Sequence, residues 1–250
     1  MIVHTEAVVL RSMAFRESSR IVTLFTKKKG KISVLAKGAR RMKSQFGSTL
    51  QPMSYVQAVY YYRPSRTLQV LSECSHVRPN HRISSSIEKL NVGLRVVELM
   101  QALLQEEEPD PQLFRLLVNV LTHLDGAEQN AEHLLYGFQM HLAAGLGFTP
   151  DFDSGLVDRL DEGGGLLTLD TGTILPAGAE AAPARPASRA ALQAFAFFSR
   201  SALEAVTQVS LPAAVARELR SLIEVYMRFH VEEAYPVRSE AVFRQMKKGI

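Results

Sequence analysis

The apolar pattern of this chain changes period once, near Arg78–His81, and that change limits the folds open to it. Before that point apolar residues alternate with polar ones in short runs rich in β-branched and aromatic types. "TEAVVLRSMAF", "SRIVTLF", "ISVLAKGA", "SYVQAVYYYR" and "TLQVLSECSHV" each read as a strand. "TKKKGK" (Thr26 to Lys31) is a turn in which Gly30 is free to take a positive φ. Five short strands in about 80 residues, joined by basic loops, suit a small closed barrel such as the OB-fold. An SH3-like barrel would give nearly the same pattern.

After "RPNH" apolar residues recur every three or four positions. Ser85 and Glu88 have capping-box spacing ahead of a stripe of Ile87, Leu90, Leu94, Val97, Met100 and Leu104. "EEEPDP" ends that helix, and Asp110–Pro111 opens the next as an N-cap followed by a proline at the first helical position. This second helix carries Leu113, Phe114, Leu117, Val120 and Leu121 on one face. A third runs from about Ala131 to Ala144 and stops at Gly145 and Gly147. Phe148 to Pro186 is rich in Gly, Pro and Asp and reads as irregular, with a hairpin at Leu166 to Leu175 turning around Asp170–Gly172. Two more helices are expected, at Ser188 to Val206 and Pro212 to Glu233. The whole is α+β and multidomain: a barrel over 1–80, then a helical domain over 81–250 with the irregular insertion at 148–186.

Charge divides at the same place. Residues 1–80 carry 14 Lys and Arg against Glu6, Glu17 and Glu73, a net of +11; residues 81–250 carry 15 against 22 Asp and Glu, a net of −7. Such a split points to one part that meets a polyanion and another that does not. A basic face that only solvates itself would carry the self-repulsion of +11 to no purpose. The densest stretch, "GKISVLAKGARRMKSQFG" (Gly30 to Gly47), holds five cations and no acid. Arg16, Arg20, Lys27, Lys28, Lys29, Lys37, Arg40, Arg41, Lys43, Arg63 and Arg66 are the candidate phosphate contacts, since cations on barrel loops release counterions when they follow a phosphate chain. Interleaved aromatics, among them Phe15, Phe46, Tyr55 and Tyr60 to Tyr62, include side chains able to stack on bases. Alternation sets Tyr60 and Tyr62 toward a barrel core and Tyr61 on the other face.

Catalytic patterns are weak. There is no G-x-S-x-G elbow, and Gly163–Gly165 lacks the following Lys and Ser or Thr of a phosphate loop. Asp151, Asp153, Asp158 and Asp161 do not have EF-hand spacing and read as a solvated acidic loop. His133 and His141 lie eight apart, which excludes an i,i+4 zinc pair; His76 and His81 flank Pro79 but make only two ligands. One cysteine, Cys74, provides neither a disulfide nor a Cys-rich metal site. No metal or cofactor is expected. No apolar run reaches the length of a membrane span, and "MIVHTEAVVL" lacks the order of a signal peptide, so a cytoplasmic protein is expected.

Three stretches resemble the RecO family of bacterial recombination mediators. They are "RESSRIVTLFT" (Arg16 to Thr26), "GKISVLAKGARRMKS" (Gly30 to Ser44) and "LQP" (Leu50 to Pro52). Downstream, "EPDPQLFRLL" (Glu108 to Leu117) and "HLAAGLGFTPDF" (His141 to Phe152) look like the family's helical domain, and K-G-A-R-R-x-K-S at Lys37 to Ser44 is the most specific piece. The resemblance implies an N-terminal OB-fold, a helical C-terminal domain, and binding to single- and double-stranded DNA at the nucleoid during repair. It implies strand annealing and, with the partner RecR, help in placing RecA on DNA covered by the single-stranded-DNA-binding protein. It implies no enzymatic activity. The acidic, apolar-ended tail of the single-stranded-DNA-binding protein would suit a helical groove rimmed by Arg217, Arg220 and Arg228. Many members carry a four-cysteine zinc module after the LGF-x-P segment; here Phe152 to Ala179 has no cysteine. On residues alone, two other readings stay open: an RNA-binding OB protein, and an enzyme that uses the acidic loop with an added metal.

Overall fold

The computed structural model describes residues 1–231 and Tyr235. Its described residues divide into two compact units, Met1–Gly126 and Ala127–Tyr235. The first is built on five strands: β1 (Ile2–Phe15), β2 (Ser19–Thr26), β3 (Gly30–Ala36), β4 (Tyr55–Tyr61) and β5 (Leu68–Arg78). They close a barrel in the order β1-β2-β3-β5-β4. β1 is long enough to serve two neighbours. Ile2 to Val8 pair with β4, and Ala7 to Phe15 pair with β2 across a bulge between Val9 and Arg11 that bends the strand. β3 pairs in parallel with β5, Ser33 opposite Leu68, and this closes the barrel in OB-fold order.

Alternation decides which side chains face in. Val22, Leu24, Ile32, Val34, Val56, Ala58, Tyr60 and Leu71 fill the interior, and Phe46 and Leu50 from the long β3–β4 connection join the same cluster. Tyr60 and Tyr62 are buried and Tyr61 is 50% exposed, as the two-residue period requires.

Among the described residues this unit also has three helices: α1 (His81–Ser84), α2 (Ile87–Leu103) and α3 (Pro111–Gly126). The change of period at residue 80 therefore marks a change of local structure inside one compact body. Ser86 caps α2, its Oγ accepting from the Lys89 amide at 3.4 Å. Ser85, expected in that role, is instead the C-cap of α1, and its hydroxyl donates to the Arg82 carbonyl at 2.9 Å. The buried face of α2 also differs from the expected stripe. Val92, Val96, Val97, Leu99 and Met100 are buried, while Ile87 is 77% exposed. The Asp110 cap of α3 forms as the sequence predicts, with Oδ1 accepting from the amides of Gln112 at 2.8 Å and Leu113 at 2.9 Å. Phe114, on the first turn of α3, sets its ring edge-to-face on Phe25 and Tyr55 of the barrel wall, with centroids 5.6 and 6.4 Å apart.

The second unit holds α4 (Ala131–Gly145), α5 (Ser154–Asp158), β6 (Gly165–Thr168), β7 (Ile174–Pro176), β8 (Ala184–Ala187), α6 (Arg189–Arg200), α7 (Leu203–Val206) and α8 (Ala213–Val231). α4 is buried nearly all round and forms its centre, with Leu134, Leu135, Phe138, Met140 and Leu142 all out of solvent. The expected hairpin is present, but a third strand extends it into a sheet ordered β7-β6-β8. β8 reads "ARPA", short and with an internal proline, a composition tolerated only at a sheet edge and invisible to an alternation test. The single helix expected over Ser188 to Val206 breaks at Ser201, whose ψ of 141° is extended and whose amide caps the Phe197 carbonyl. The end expected for the last helix, Glu233, lies outside the described residues, as do Arg238, Arg244, Lys247 and Lys248, the local basic spots that the sequence offers in the net-acidic half.

Gly30 is closely enclosed by the segment before α3. Its φ is +63°, and a Cβ there would lie 2.1 Å from the Glu108 carbonyl oxygen. Gly30→Ala should cost about 1–2 kcal/mol from the left-handed backbone alone and more from the displaced neighbour. The thermal midpoint followed by circular dichroism should fall by about 2–4 °C or more; an unchanged midpoint would show that neither the left-handed backbone nor the close approach of Glu108 constrains residue 30.

Candidate nucleic-acid interface

Strand register lines up six apolar side chains on the outside of the barrel. Met13 pairs with Ile21, Ile21 with Leu35, Leu35 with Val70, Val70 with Tyr61 and Tyr61 with Ile2. Their chain neighbours Val22, Val34, Leu71 and Tyr60 point into the core, so this row points out. Met13, Tyr61 and Ile2 are 41%, 50% and 55% exposed, and the middle three are half-buried. At about 4.8 Å per strand the row runs about 24 Å around the wall.

A cleft opens at each end of the row's middle pair. The first, of about 570 Å³, is lined by Phe15, Arg16, Leu35, Lys37 and Arg41 among others. The second, of about 280 Å³, includes Tyr61, Arg63, Arg66 and Val70. Leu35 and Val70 are register partners, so the two clefts share the row.

The loops that carry these cations are held in place. Arg16 sits at the β1–β2 turn with φ +51°, its guanidinium 5.2 Å over the Phe15 ring. Its carbonyl accepts from Arg40 Nη1 at 3.0 Å, and the Arg40 amide donates to the Ser18 carbonyl at 2.9 Å. Arg40 thus clamps the β1–β2 turn to the loop after β3. Lys37, Arg41 and Lys43 on that loop are exposed. On the other side, buried Gln69 organises the β4–β5 connection. Its Oε1 accepts from the Arg63 amide at 2.8 Å, and its Nε2 donates to the Arg63 and Arg66 carbonyls at 3.1 and 2.5 Å. The exposed Arg63 and Arg66 side chains are presented by that arrangement.

Not every expected cation joins this face. Arg20 has core-side parity opposite Ala36, and its Nε donates to Ser12 Oγ at 2.7 Å at the barrel rim. Lys27, Lys28 and Lys29 crowd the β2–β3 turn, at the far end of the hairpin from the first cleft. Lys27 pairs with Glu6 at 3.3 Å, Lys29 lies 4.9 Å over the Tyr62 ring, and Lys28 is exposed. In the second unit Arg217 is exposed on α8, Arg220 pairs with Glu132, and Arg228 pairs with Glu224 at 2.6 Å. The apolar row and Gln69 escape a reading based on charge. Their signal was strands such as "RIVTLF" and "LQVL" that are apolar on both faces, and a lone glutamine at an inward position.

Among the described residues no three His, Cys, Asp or Glu side chains come together as a metal site. Zinc does not fit the 165–176 sheet, which has no cysteine and whose Thr168, Thr171 and Thr173 hydroxyls bond one another at 2.8 Å. The acidic loop is used locally: Asp153 Oδ1 accepts from the Gly155 amide and Asp161 Oδ1 from that of Gly163. No described helix is long and apolar enough to cross a membrane.

Comparison with known proteins gives the family of the chain. Residues 1–80 match the family described as recombination protein O N terminal, and residues 84–239 match recombination protein O C terminal. The chain belongs to the RecO family. It is 46% identical over 246 residues to the DNA repair protein RecO of Salinibacter ruber, covering 98% of this chain and 95% of that one. The RecO of Chloroherpeton thalassium is 28% identical over 263 residues, at 98% and 99% coverage. That of Chlorobaculum parvum is 36% identical over 150 residues, covering 60% of this chain and 58% of its own. In this RecO-family chain the K-G-A-R-R-x-K-S string forms the loop after β3 and one wall of the larger cleft.

The Lys27–Glu6 pair belongs to a titrating cluster. The Tyr55 hydroxyl donates to Glu6 Oε2. That bond, helped by Lys27, holds the Glu6 carboxyl below its ordinary range, while burial and then Glu6 push the Tyr55 hydroxyl up to about 12. A carboxyl depressed on folding stabilises fully above its unfolded pKa of about 4.3 and loses that contribution as pH falls through its folded value. Tyr55→Phe should raise the Glu6 titration midpoint toward the ordinary range in a carbon-13 NMR titration. A midpoint that does not move would assign the depression to Lys27 alone.

Proposed function

We propose that this chain is a DNA-binding recombination mediator in DNA repair, without enzymatic activity of its own. The observation that carries the reading is the register-aligned apolar row flanked by cationic clefts. Bases of a single strand lie along Ile21, Leu35, Val70 and Tyr61, and phosphates meet Arg16, Lys37, Arg41 and Lys43 on one side and Arg63 and Arg66 on the other. OB-folds bind oligonucleotides on this strand 2–3 face and its flanking loops. Tyr61 and Phe15 offer aromatic faces for stacking, which tolerates any base. Duplex DNA meets the same loops through phosphate alone. Arg20, Lys27 and Lys28 contribute through the field of the barrel more than by contact, and Lys29, turned onto the Tyr62 ring, stays off the path of the strand.

The finer activities proposed are annealing of complementary strands, and loading of RecA onto DNA covered by the single-stranded-DNA-binding protein, together with RecR; they are consistent with the family, and the names of the relatives support a role in DNA repair. The proposed division of labour gives DNA to the barrel of residues 1–80 and protein partners to residues 81–250, whose net charge of −7 repels phosphate. Within that half Arg217 is the rim cation best placed for an acidic tail, since Arg220 and Arg228 already hold carboxylates. The working location is the cytoplasm, at the nucleoid during repair.

Lys37, Arg41 and Lys43 changed together to Ala should weaken binding of a labelled single-stranded oligonucleotide. They should also reduce the log–log salt slope by about 2, at about 0.7 per lost phosphate contact. A folded triple variant with the wild-type slope would put the site elsewhere. Competition with an RNA oligomer of the same sequence separates the DNA reading from RNA binding: preference for RNA would overturn it.

A further inference from the structure

The acidic run after α2 lies against the lysine turn of the barrel. The Glu107 amide donates to the Lys31 carbonyl at 2.9 Å, and Lys31 Nζ meets Glu106 Oε1 at 3.3 Å and the Gln101 carbonyl at 3.1 Å. Glu107 Oε2 accepts from the Tyr62 hydroxyl at 2.9 Å, and Lys29 Nζ sits 4.9 Å over the ring of that tyrosine. Glu107 has φ +58°, a left-handed backbone that a glutamate adopts only when its surroundings impose it. Gly30 lets the run approach this closely, because any side chain there would strike the Glu108 backbone. Tyr62 is also a wall of the Arg63–Arg66 cleft. Two carboxylates are therefore anchored where that cleft meets the lysine turn.

We propose that Glu106 and Glu107 are specificity-determining residues of the DNA site. Their carboxylates stand where strand phosphates would otherwise lie, and they keep a strand in the arginine cleft from continuing onto Lys29 and Lys31. The proposal rests on the DNA-binding reading above and deepens it. Three features favour this over a purely structural brace. The residues are exposed, Glu106 pairs with a cation of the kind that binds phosphate while Glu107 holds the tyrosine over which Lys29 sits, and the contact is held in a strained backbone. In wild-type protein Lys29 and Lys31 then add nothing to the salt dependence of binding. Without the carboxylates they add about 0.7 each to its slope.

The test is fluorescence anisotropy of a labelled oligothymidine titrated with full-length protein over a range of salt. Glu106→Gln combined with Glu107→Gln should raise affinity at low salt several-fold and steepen the slope by about 1.4. Adding Lys29→Ala and Lys31→Ala should return the slope to the wild-type value, whereas the same two changes in wild-type protein leave it unmoved. Tyr62→Phe, which removes only the hydroxyl that holds Glu107, should shift both quantities in the same direction by less. Glu88→Gln is the control for charge alone, because Glu88 lies 13 residues before Gln101 on α2, about 20 Å along the helix. A double variant with the wild-type slope overturns the proposal, as does a gain that Glu88→Gln reproduces. If wild-type protein shows no salt-dependent binding, the DNA reading itself fails; salt-dependent binding with an unresponsive double variant sinks only the role of Glu106 and Glu107.

Discussion

Closure of the barrel by the parallel pairing of β3 with β5 is the constraint from which the rest of the first unit follows. Once Ser33, Val34 and Leu35 sit opposite Leu68, Gln69 and Val70, every strand has two neighbours and its parity is fixed. Val34, Gln69 and Leu71 must face in; Leu35 and Val70 must face out. The same pairing brings the end of β3 and the start of β5 side by side, so the basic loop after β3 and the arginine loop before β5 flank one surface. Gln69 shows how closely the two effects are linked. Its parity sends a polar group inward, where an unpaired amide would cost about 1–3 kcal/mol, and three bonds to the Arg63–Arg66 loop remove that cost while shaping the cleft.

An outward apolar row on a protein with so many cations is a specific compromise. Exposed apolar area forgoes about 25 cal/mol per Å² of possible burial, so Met13, Tyr61 and Ile2 are a standing cost in the free protein. That cost is recovered when a flat apolar face, such as a base, covers them. In the proposed function the flanking cations then answer for phosphate, whose binding draws its free energy from released counterions. Self-repulsion among the cations is managed locally. Arg40 is turned to backbone carbonyls, Lys27 to Glu6 and Lys31 to Glu106. Exposed pairs of this kind are each worth little in stability; their effect is on where positive potential stays open.

How much of this was legible in the sequence depended on the range of the interaction involved. The barrel strands, the Asp110 cap and the inward Tyr60 were readable because alternation and capping are local. Ser85 misled because two serines compete for one cap, and the short α1 that claims the first of them has no periodic signal. β8 was missed because a four-residue edge strand with a proline carries no alternation. The candidate site was half legible. Charge located the loops, but which cations share a surface depends on pairings between residues as distant as Leu35 and Val70. Sequence charge also could not separate Lys43, left open, from Lys31, covered by an acid some 75 positions away.

The second unit raises the complementary question of what holds a small sheet that has no cysteine to bind a metal. β6 carries the answer on both of its faces. Leu167 and, across from it, Ile174 are fully buried, and Leu169 nearly so, so one face is fixed by apolar packing. On the turn, the Asp170 carboxylate accepts from the Thr171 amide, and the Thr168 hydroxyl accepts from the amide of Thr173 at 2.9 Å. Side-chain oxygens that tie down a tight turn do locally what a thiolate-bound ion does in a larger loop. The third strand supplies the remainder, pairing Thr168 with Ala184 and Leu167 with Arg185, which gives β6 two hydrogen-bonded neighbours instead of one. A two-stranded ribbon is marginal alone, and a third strand with a buried face is enough for independent order. Burial and turn chemistry thus account for this sheet with the residues the chain has.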